Sequence, residues 1–407
     1  MESFDEALRL SMHSMGFEKL QQHPLCDCCL GRRFAGIGTG MTNSYRGQFV
    51  RRLLGDGSLL ASNISSSGPF EPSFKDASSN EQSTVPTDKC WVCHGLALEV
   101  EGMAKAIVEA VSPYEFSNML VGTRVDPAIE SREDELIALI GKDIGEPLKS
   151  ELNREVGKVV TNHFNIDVEY ERPDMVAIID TRFFSVEVQA NPTFFFGRYK
   201  KFSREIPQTR WPCTRCRGKG CQRCNDTGKM YQTSVEEEVG RPALRMFEAK
   251  DHKFHGMGRE DIDVRMLGNG RPFILELKEP KIRAISLPEL EKNINQGSKN
   301  VVEVSQLRMC KREEIAIIKE AKHDKTYAAK VVFSQNVEED ALKNALKKMV
   351  GLVKQQTPKR VAHRRANLVR ERTVYRCELQ EHSLDEATIL IHAETGTYIK
   401  EILHGDE

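Results

Sequence analysis

The sequence predicts an α/β protein of the α+β type, in which a mixed-sheet domain follows a cysteine-rich domain. Two observations predict this fold class. Stretches with apolar residues at helical spacing alternate with short apolar stretches typical of strands. Eight of the 11 cysteines also form four Cys-x-x-Cys pairs. The length of 407 residues allows two or three domains, each able to bury a core.

The first residues indicate a helix and not an export signal. The segment MESFDEALRL is acidic and has no apolar run, while Ser3 and Glu6 have the spacing of a capping box. No stretch approaches the roughly 18 apolar residues of a membrane helix, so we expect no membrane partner. We expect a cytoplasmic, reducing location, in which paired cysteines bind metal before they form disulfides. Cys28, Cys310 and Cys377 are predicted to be free thiols.

Four cysteines in the first part predict a structural zinc site. They form pairs in PLCDCCLGRRF and KCWVCHGL, and a stretch rich in Ser, Asn, Pro and Gly, from Gly55 to Lys89, separates the pairs. That composition predicts a flexible loop. Four thiolates are the tetrahedral set that zinc prefers, and Cys28 and His94 are weaker candidates. The predicted ligands are Cys26, Cys29, Cys90 and Cys93.

A second, compact cysteine group lies in CTRCRGKGCQRCNDTGK and resembles the zinc loops of DnaJ-type chaperones. It could hold a second zinc ion, or only some of its thiols could take part. Arg215, Arg217, Lys219 and Arg223 also make this segment basic. Because an all-thiolate site leaves no open coordination position, neither group is expected to be catalytic. The possible ligands are Cys213, Cys216, Cys221 and Cys224.

Residues 147–211 predict a helix, two paired strands and a basic aromatic segment. PLKSELNREVGKVVTNHF has apolar residues at helical spacing, and residues 174–180 and 183–190 are typical of strands. In FFFGRYKKFSREIPQTRW, residues 194–211, cations alternate with aromatic rings. This pattern suits RNA, because cations meet phosphates and rings stack on bases. The alternative is a segment whose aromatic side chains face the core.

The third part of the chain predicts further alternating elements. The stretch SVEE, from Ser234, is a capping box that opens a helix through residue 250. Residues 287–304 and 338–353 are predicted to be helical, the latter strongly amphipathic. The predicted strands are residues 273–278, 325–334 and 387–393.

One segment, residues 354–376, predicts a binding groove for RNA. It contains eight Lys and Arg residues and one acid, Glu371, whereas a solvated charged helix usually mixes signs. Phosphate and shape contacts dominate the recognition of structured RNA, so these cations would set docking more than base choice. The predicted contributors are Arg360, His363, Arg364 and Arg365.

The turn KFHGMGREDIDVRMLG, from residue 253 to 268, places two aspartates, Asp261 and Asp263, between arginines. It is either a solvated loop or a site that holds one ionised carboxylate still. The segment GREDIDVR resembles the active-site loop of pseudouridine synthases, in which an Arg-x-Asp sequence presents one aspartate. KTYAAKVVFS resembles the tyrosine strand of that family, and IHAETGTYIKEILHGD resembles its GTYI(K/R) motif.

Further motifs occur in the same order: CxxCLGR, CxxCxGL, the RPDMVAII strand of a THUMP-like RNA-binding domain, and QTRWPC…CRGKGC…TGKMY. The chain is identified as a member of the Pus-ten family of archaeal and eukaryotic tRNA pseudouridine synthases. The resemblance implies that uridines 54 and 55 in the TΨC arm of tRNA are isomerised by an aspartate nucleophile, without a catalytic cofactor. It implies tRNA as the partner, and we expect a monomer.

The resemblance also implies roles for individual residues. Asp261 would be the catalytic aspartate, with Asp263 as the competing choice, and Arg259 its orienting neighbour. Tyr327 would be the active-site tyrosine, Lys400 the basic partner and Ile399 a pocket wall. Family members usually continue past HGD, so a chain that ends at Glu407 predicts a C-terminally truncated catalytic domain.

Together these predictions give three parts. Residues 1–205 form a zinc-binding, THUMP-like domain that docks tRNA, residues 206–230 form a cysteine-rich basic connector, and residues 231–407 form the catalytic domain. The main alternative is a zinc-containing RNA-binding protein without catalytic activity. A zinc-dependent chaperone is a weaker alternative, which the basic segment 354–376 argues against.

Overall fold

The computed structural model describes residues 4–14, 23–38, 40–55, 86–140, 145–361 and 366–405. The chain divides into two compact units, Met1–Arg312 and Glu313–Glu407. Ser3 of the predicted capping box and most of the predicted loop between residues 55 and 89 lie outside the described residues. Within that stretch, Thr87–Lys89 form a short 3-10 helix directly before Cys90.

The first part of unit one packs helices against a four-stranded mixed sheet. The strand order is β2-β1-β3-β4, with β1 parallel to β2 and β3, and with β3 antiparallel to β4. The predicted helix and paired strands are confirmed. Apolar side chains of α4 and α6 lie in the core against the sheet. The elements are α1 Phe4–Ser14, α2 Asp27–Arg32, α3 Asn43–Gly55, α4 Val100–Val111, β1 Asn118–Arg124, α5 Pro127–Ile140, α6 Leu148–Phe164, β2 Asp167–Val168, β3 Met175–Asp180 and β4 Ser185–Ala190.

The second part of unit one is an antiparallel sheet of order β6-β7-β5-β8. The Ser234 hydroxyl caps α7 by accepting a hydrogen bond from the Glu237 backbone, as predicted. The helix predicted through residue 250 ends at Met246, and residues 302–304 of the other predicted helix belong to β8. The elements are β5 Thr193–Lys201, α7 Val235–Met246, β6 Asp251–Gly256, β7 Met266–Lys278, α8 Leu287–Gly297 and β8 Val302–Met309.

Strand β5 corrects the interpretation of its basic and aromatic residues. It lies between β7 and β8, and Phe195, Tyr199 and even Lys201 are fully buried. Lys200, on the other face, forms an ion pair with Glu303. Phe194, Phe195 and Tyr199 are therefore buried and not available to stack on RNA bases, while the half-buried ring of Phe196 is covered by the Arg308 guanidinium at 4.6 Å. Because β5 pairs with β7 and β8, the second sheet crosses the proposed boundary near residue 205.

Unit two is an antiparallel sheet of order β10-β11-β12-β9 covered by helices. The predicted strands within residues 325–334 and 387–393 are confirmed. The amphipathic helix ends earlier than predicted, at Met349, because Gly351 takes a positive φ of 121° and opens β10. The elements are α9 Glu314–Glu320, β9 Lys325–Val332, α10 Glu339–Met349, β10 Gly351–Gln356, β11 Val369–His382, β12 Glu386–Ala393 and α11 Ile399–His404.

Among the described residues, the helices are too short or too polar to span a lipid bilayer.

Candidate active site and metal centres

The first cysteine group has the geometry of a four-thiolate metal site. Cys26 caps the N-terminus of α2, and its sulfur lies 3.7 Å from that of Cys93. The four sulfurs lie within 4.8 Å of one another and all four residues are buried. A zinc tetrahedron with bonds of about 2.3 Å needs sulfurs about 3.8 Å apart, so the donor set fits zinc. Neither Cys28 nor His94 belongs to the group.

A buried ion network ties this metal centre to helices α5 and α6. The Arg32 guanidinium donates to the Cys29 sulfur at 3.4 Å and to a Glu151 carboxylate oxygen at 2.8 Å. Arg32 also pairs with Glu133, which Arg33 contacts at 2.8 Å. Both arginine side chains are fully buried. If zinc binds here, Arg32 would stabilise a thiolate ligand and hold it in orientation, a common function of the residues just outside a metal's ligands.

The second cysteine group is equally compact. Its sulfurs are 3.9 Å apart between Cys213 and Cys221 and 3.8 Å apart between Cys216 and Cys224, again close to the spacing of a zinc tetrahedron. Backbone N–H groups of Cys216 and Arg215 lower the pKa of the Cys213 thiol to about 6, which favours the thiolate that binds metal. Close packing inside the loop requires a glycine at Gly228, because an added Cβ would lie 2.4 Å from the carbonyl oxygen of Gly218.

The predicted catalytic aspartate, Asp261, lies in the loop between β6 and β7. The backbone of this loop is held by hydrogen bonds from the buried Lys201 ammonium group. This lysine donates hydrogen bonds to the carbonyl oxygens of Ile206 at 3.1 Å, Asp261 at 3.3 Å and Ile262 at 2.7 Å. Burial lowers the pKa of Lys201 below its ordinary value. The loop carbonyls therefore surround a buried cation, while the Asp261 side chain itself is half-buried.

A second buried cluster anchors the residue before Asp261. The Glu260 carboxylate accepts hydrogen bonds from the Tyr199 hydroxyl at 2.8 Å and from the Gln208 amide at 3.3 Å, and it pairs with Arg271 at 3.1 Å. Arg271 also donates to the Met257 carbonyl at 2.7 Å. Burial, together with the neighbouring Glu260 charge, raises the pKa of Tyr199, so the hydroxyl stays a donor. The loop is thus fixed at its start and at Glu260.

The predicted orienting residue, Arg259, is exposed and lies over the ring of Trp211, with its guanidinium carbon 5.1 Å from the ring centre. Trp211 in turn packs edge-on against Tyr231 at 5.6 Å. These two aromatic residues flank the second cysteine group in sequence. The competing aspartate, Asp263, is exposed.

The other predicted site residues belong to unit two. Tyr327 is half-buried on β9 and pairs with Ile391 on β12. Lys400 is half-buried in the first turn of α11, and Ile399 packs against the core of the unit. The start of this helix is fixed by Gln355, whose side-chain amide donates to the Tyr398 carbonyl at 3.0 Å and accepts from the Tyr398 backbone at 2.9 Å.

The predicted RNA-binding cations of unit two are only partly described. Arg360 forms an ion pair with Glu401 of α11 at 2.5 Å. Although burial favours the protonated acid, the hydrogen bond from Arg360 lowers the pKa of the Glu401 carboxyl. His363, Arg364 and Arg365 lie outside the described residues. Most of the described part of segment 354–376 belongs to strands β10 and β11.

Sequence reasoning missed the residues that support the aspartate loop. Lys201 was grouped with the cations expected to meet RNA, and Glu260, Gln208 and Arg271 were not singled out. One signal was available for Lys201. Alternate residues of a strand point to the same face, so Lys201 shares the buried face of Phe195 and Tyr199. Nothing local in the sequence indicates its two carbonyl partners in the Asp261 loop, which lie 60 and 61 residues further along the chain.

Known protein families match segments in both units of the chain. Residues 194–407 match the family described as "Pus10, C-terminal", and residues 103–180 match "Pus10 THUMP domain, archaeal". The chain is 40% identical to the tRNA pseudouridine synthase Pus10 of Methanothrix thermoacetophila, over 99% of this chain and 90% of the relative. It is 42% identical to the protein of that name from Methanothermobacter marburgensis, over 94% of this chain and 88% of the relative.

A solved structure titled "Crystal Structure of a Cbf5-Nop10-Gar1 Complex" is 18% identical and covers 42% of this chain and 39% of that chain, with a TM-score of 0.27, which is too low to carry weight. The family of the chain is shown by the match to the C-terminal family and by relatives that are matched over most of their length. The chain belongs to the Pus10 family of tRNA pseudouridine synthases and is an isomerase.

Proposed function

We propose that this chain converts uridine to pseudouridine at positions 54 and 55 in the TΨC arm of tRNA, with Asp261 as the nucleophile. The observation that carries the proposal is the support of the Asp261 loop, where buried Lys201 holds the backbone carbonyls and buried Glu260 anchors the preceding residue. A merely solvated loop would not need a buried cation and a buried acid packed against it, because removing each charge from water is costly.

The proposed reaction is an isomerisation in which atoms balance. The N1–C1′ bond of the uridine breaks, the uracil turns, and a C5–C1′ bond forms. The hydrogen at C5 leaves as a proton and N1 gains one. The Asp261 carboxylate would attack the sugar or the base, or take up the proton at C2′. Nothing is oxidised and no group is added, so the proposed chemistry uses no cofactor.

Roles for the other predicted residues follow from their chemistry. A cation near a carboxylate favours the ionised form, which is the role we propose for Lys400. Arg259 would orient the aspartate, and Ile399 would line the pocket. Tyr327 would stack under the base and assist removal of the C5 proton. The two cysteine groups would hold structural zinc, since four thiolates leave no position open for substrate.

Binding of tRNA would involve the THUMP domain and the basic segment 354–376, including Arg360, His363, Arg364 and Arg365. A uridine inside a folded RNA has to leave its base stack before it reaches a carboxylate, so cations must hold the surrounding backbone. We propose a monomer that acts in the cytoplasm, where tRNA is available. The proposed parts, residues 1–205, 206–230 and 231–407, describe these functions, and the structural units have a different boundary.

The proposed function is tested by mapping pseudouridine in an unmodified tRNA transcript after incubation with the full chain. Carbodiimide modification followed by primer extension locates each pseudouridine. The proposal expects stops that report positions 54 and 55, and none at 55 in a transcript with cytidine there. Binding of the transcript without any pseudouridine would favour the alternative, a zinc-containing RNA-binding protein without catalytic activity. Pseudouridine only outside the TΨC arm would overturn the site assignment.

Replacing Lys201 by Met is expected to lower kcat by about 10- to 100-fold with little change in KM. Methionine has about the same volume, but three carbonyl oxygens lose their hydrogen-bond donor and the Asp261 loop is no longer held in position. A displacement of a catalytic group by about 1 Å can lower the rate by this much. Single-turnover and steady-state rates with the tRNA transcript separate the two parameters.

The matched control is Lys200→Met, one residue away on the opposite face of the same strand. It breaks an ion pair with Glu303 and should leave kcat within about twofold, because partly exposed pairs contribute little. Equal rates for both variants and the unaltered chain would show that Lys201 does not position the loop.

A further inference from the structure

The second cysteine group lies in a loop that is closed at its base beside the predicted active site. Pro212 and Lys229 form an antiparallel bridge, and the Cys213 backbone donates to the Gly228 carbonyl at 2.7 Å. One step further out, Met230 donates to the Trp211 carbonyl at 3.0 Å. The base of the loop is therefore fixed by backbone hydrogen bonds, and the four cysteine sulfurs lie within 4.8 Å of one another inside it.

Four cations lie on the surface of this loop. All are exposed, and in the described part of the chain their side chains form no hydrogen bond or ion pair. The loop carries one exposed acid, Asp226, and its remaining lysine, Lys229, is already paired with Glu237. The four are Arg215, Arg217, Lys219 and Arg223.

The position of the loop relates these charges to the aspartate. Trp211, at the base, packs under the guanidinium of Arg259, which precedes Asp261 by two residues. An RNA whose target nucleotide reaches Asp261 would bring phosphates of the same strand close to this base. Arginine and lysine without internal partners suit phosphate oxygens, and they give affinity without reading sequence.

We propose that residues 212–230 form a metal-organised element, the cysteine loop, that contacts the phosphate backbone of the substrate RNA next to the target uridine. The proposal rests on the proposed function for the identity of the RNA. The competing explanation is that the cations only offset the charge of four thiolates around a zinc ion, a net 2−. The two explanations differ in what the cations affect, since one concerns RNA affinity and the other metal affinity.

The test compares three full-length variants with the unaltered chain in binding an unmodified tRNA transcript at several KCl concentrations. In the first, all four cations become Gln. Each lost phosphate contact should lower the slope of log affinity against log salt by about 0.7 to 0.9, so the slope should fall by about 3, and affinity near physiological salt by about 10- to 100-fold. Its zinc content should match that of the unaltered chain.

The second variant is a matched control in which four exposed lysines elsewhere become Gln: Lys292, Lys299, Lys347 and Lys348. Its salt slope should change by less than about 1. The third variant, Cys213→Ser/Cys216→Ser, keeps every cation but removes two metal ligands. It should lose one equivalent of zinc and show an affinity loss similar to that of the first variant.

Three outcomes in the first two variants would overturn the proposal: an unchanged salt slope in the first variant, an equal fall in the control, or loss of zinc from the first variant. The last would assign the cations to the metal centre. Full RNA affinity in the third variant after its zinc is lost would also contradict the organising role of the metal. Because the affinity measurement does not require turnover, a chain that bound tRNA through this loop yet formed no pseudouridine would contradict the proposed function alone.

Discussion

Replacing Asp261 by Asn is expected to abolish pseudouridine formation, lowering the single-turnover rate by at least about 10³-fold, as removal of a nucleophile usually does. The amide has nearly the same shape as the carboxylate but carries no charge and cannot act as nucleophile or base. Binding of the tRNA transcript should stay within about threefold, because the phosphate contacts that dominate affinity are unchanged. The single-turnover rate is measured with the synthase in excess over the transcript. The product RNA is then digested to nucleosides and its pseudouridine is quantified.

Asp263→Asn is the control, because both aspartates lie in the same loop and Asp263 is the competing candidate. It is exposed. Its replacement should therefore leave the rate within a few fold. If Asp263→Asn were inactive and Asp261→Asn active, the nucleophile would be Asp263 and the proposed role of the Lys201 contacts would be wrong.

Replacing Arg32 by Met is expected to destabilise unit one by about 3–5 kcal/mol, the usual cost of removing one partner from a buried ion network. The fully buried guanidinium contacts Glu133, Glu151 and the Cys29 sulfur, and Met leaves the Glu151 carboxylate without this cation. Zinc affinity should fall by about 10- to 100-fold as the thiolate loses its donor. Denaturant unfolding and competition with a chelator measure the two effects.

The matched control is Arg154→Met on helix α6, where the arginine is 40% exposed and pairs with Glu146 and Glu155. Exposed pairs contribute about 0–1 kcal/mol, so its unfolding free energy and zinc affinity should barely change. Equal destabilisation by the two substitutions would contradict the account of the buried network. Unchanged zinc affinity in Arg32→Met would separate the network from the metal centre.

The sequence predicted best the features that depend on short-range chemistry. The Cys-x-x-Cys pairs could be identified because their spacing alone brings two sulfurs together, and the structure gathers them into two groups of four. Helix α6 was predicted because its apolar residues repeat over 17 residues. The capping box at Ser234 was likewise visible within four residues.

Features that depend on distant partners could not be predicted. Arg360 was expected to contact RNA, and its ion pair with Glu401, 41 residues away, appears only in the fold. Lys201 looks like a surface cation until β5 is placed between two other strands. The helix predicted to run through residue 353 ends at Met349. The prediction was too long because the apolar periodicity continues into strand β10 without marking the change.

The most direct test of the central claim is tritium release from a tRNA transcript labelled at C5 of its uridines, with the full chain in excess. Pseudouridine formation replaces the C5–H bond by a bond to C1′, so each converted uridine releases its label to water. We expect release of up to two equivalents per tRNA, one for each of positions 54 and 55. A chain that binds the transcript tightly and releases no tritium would contradict the claim that it is an active synthase.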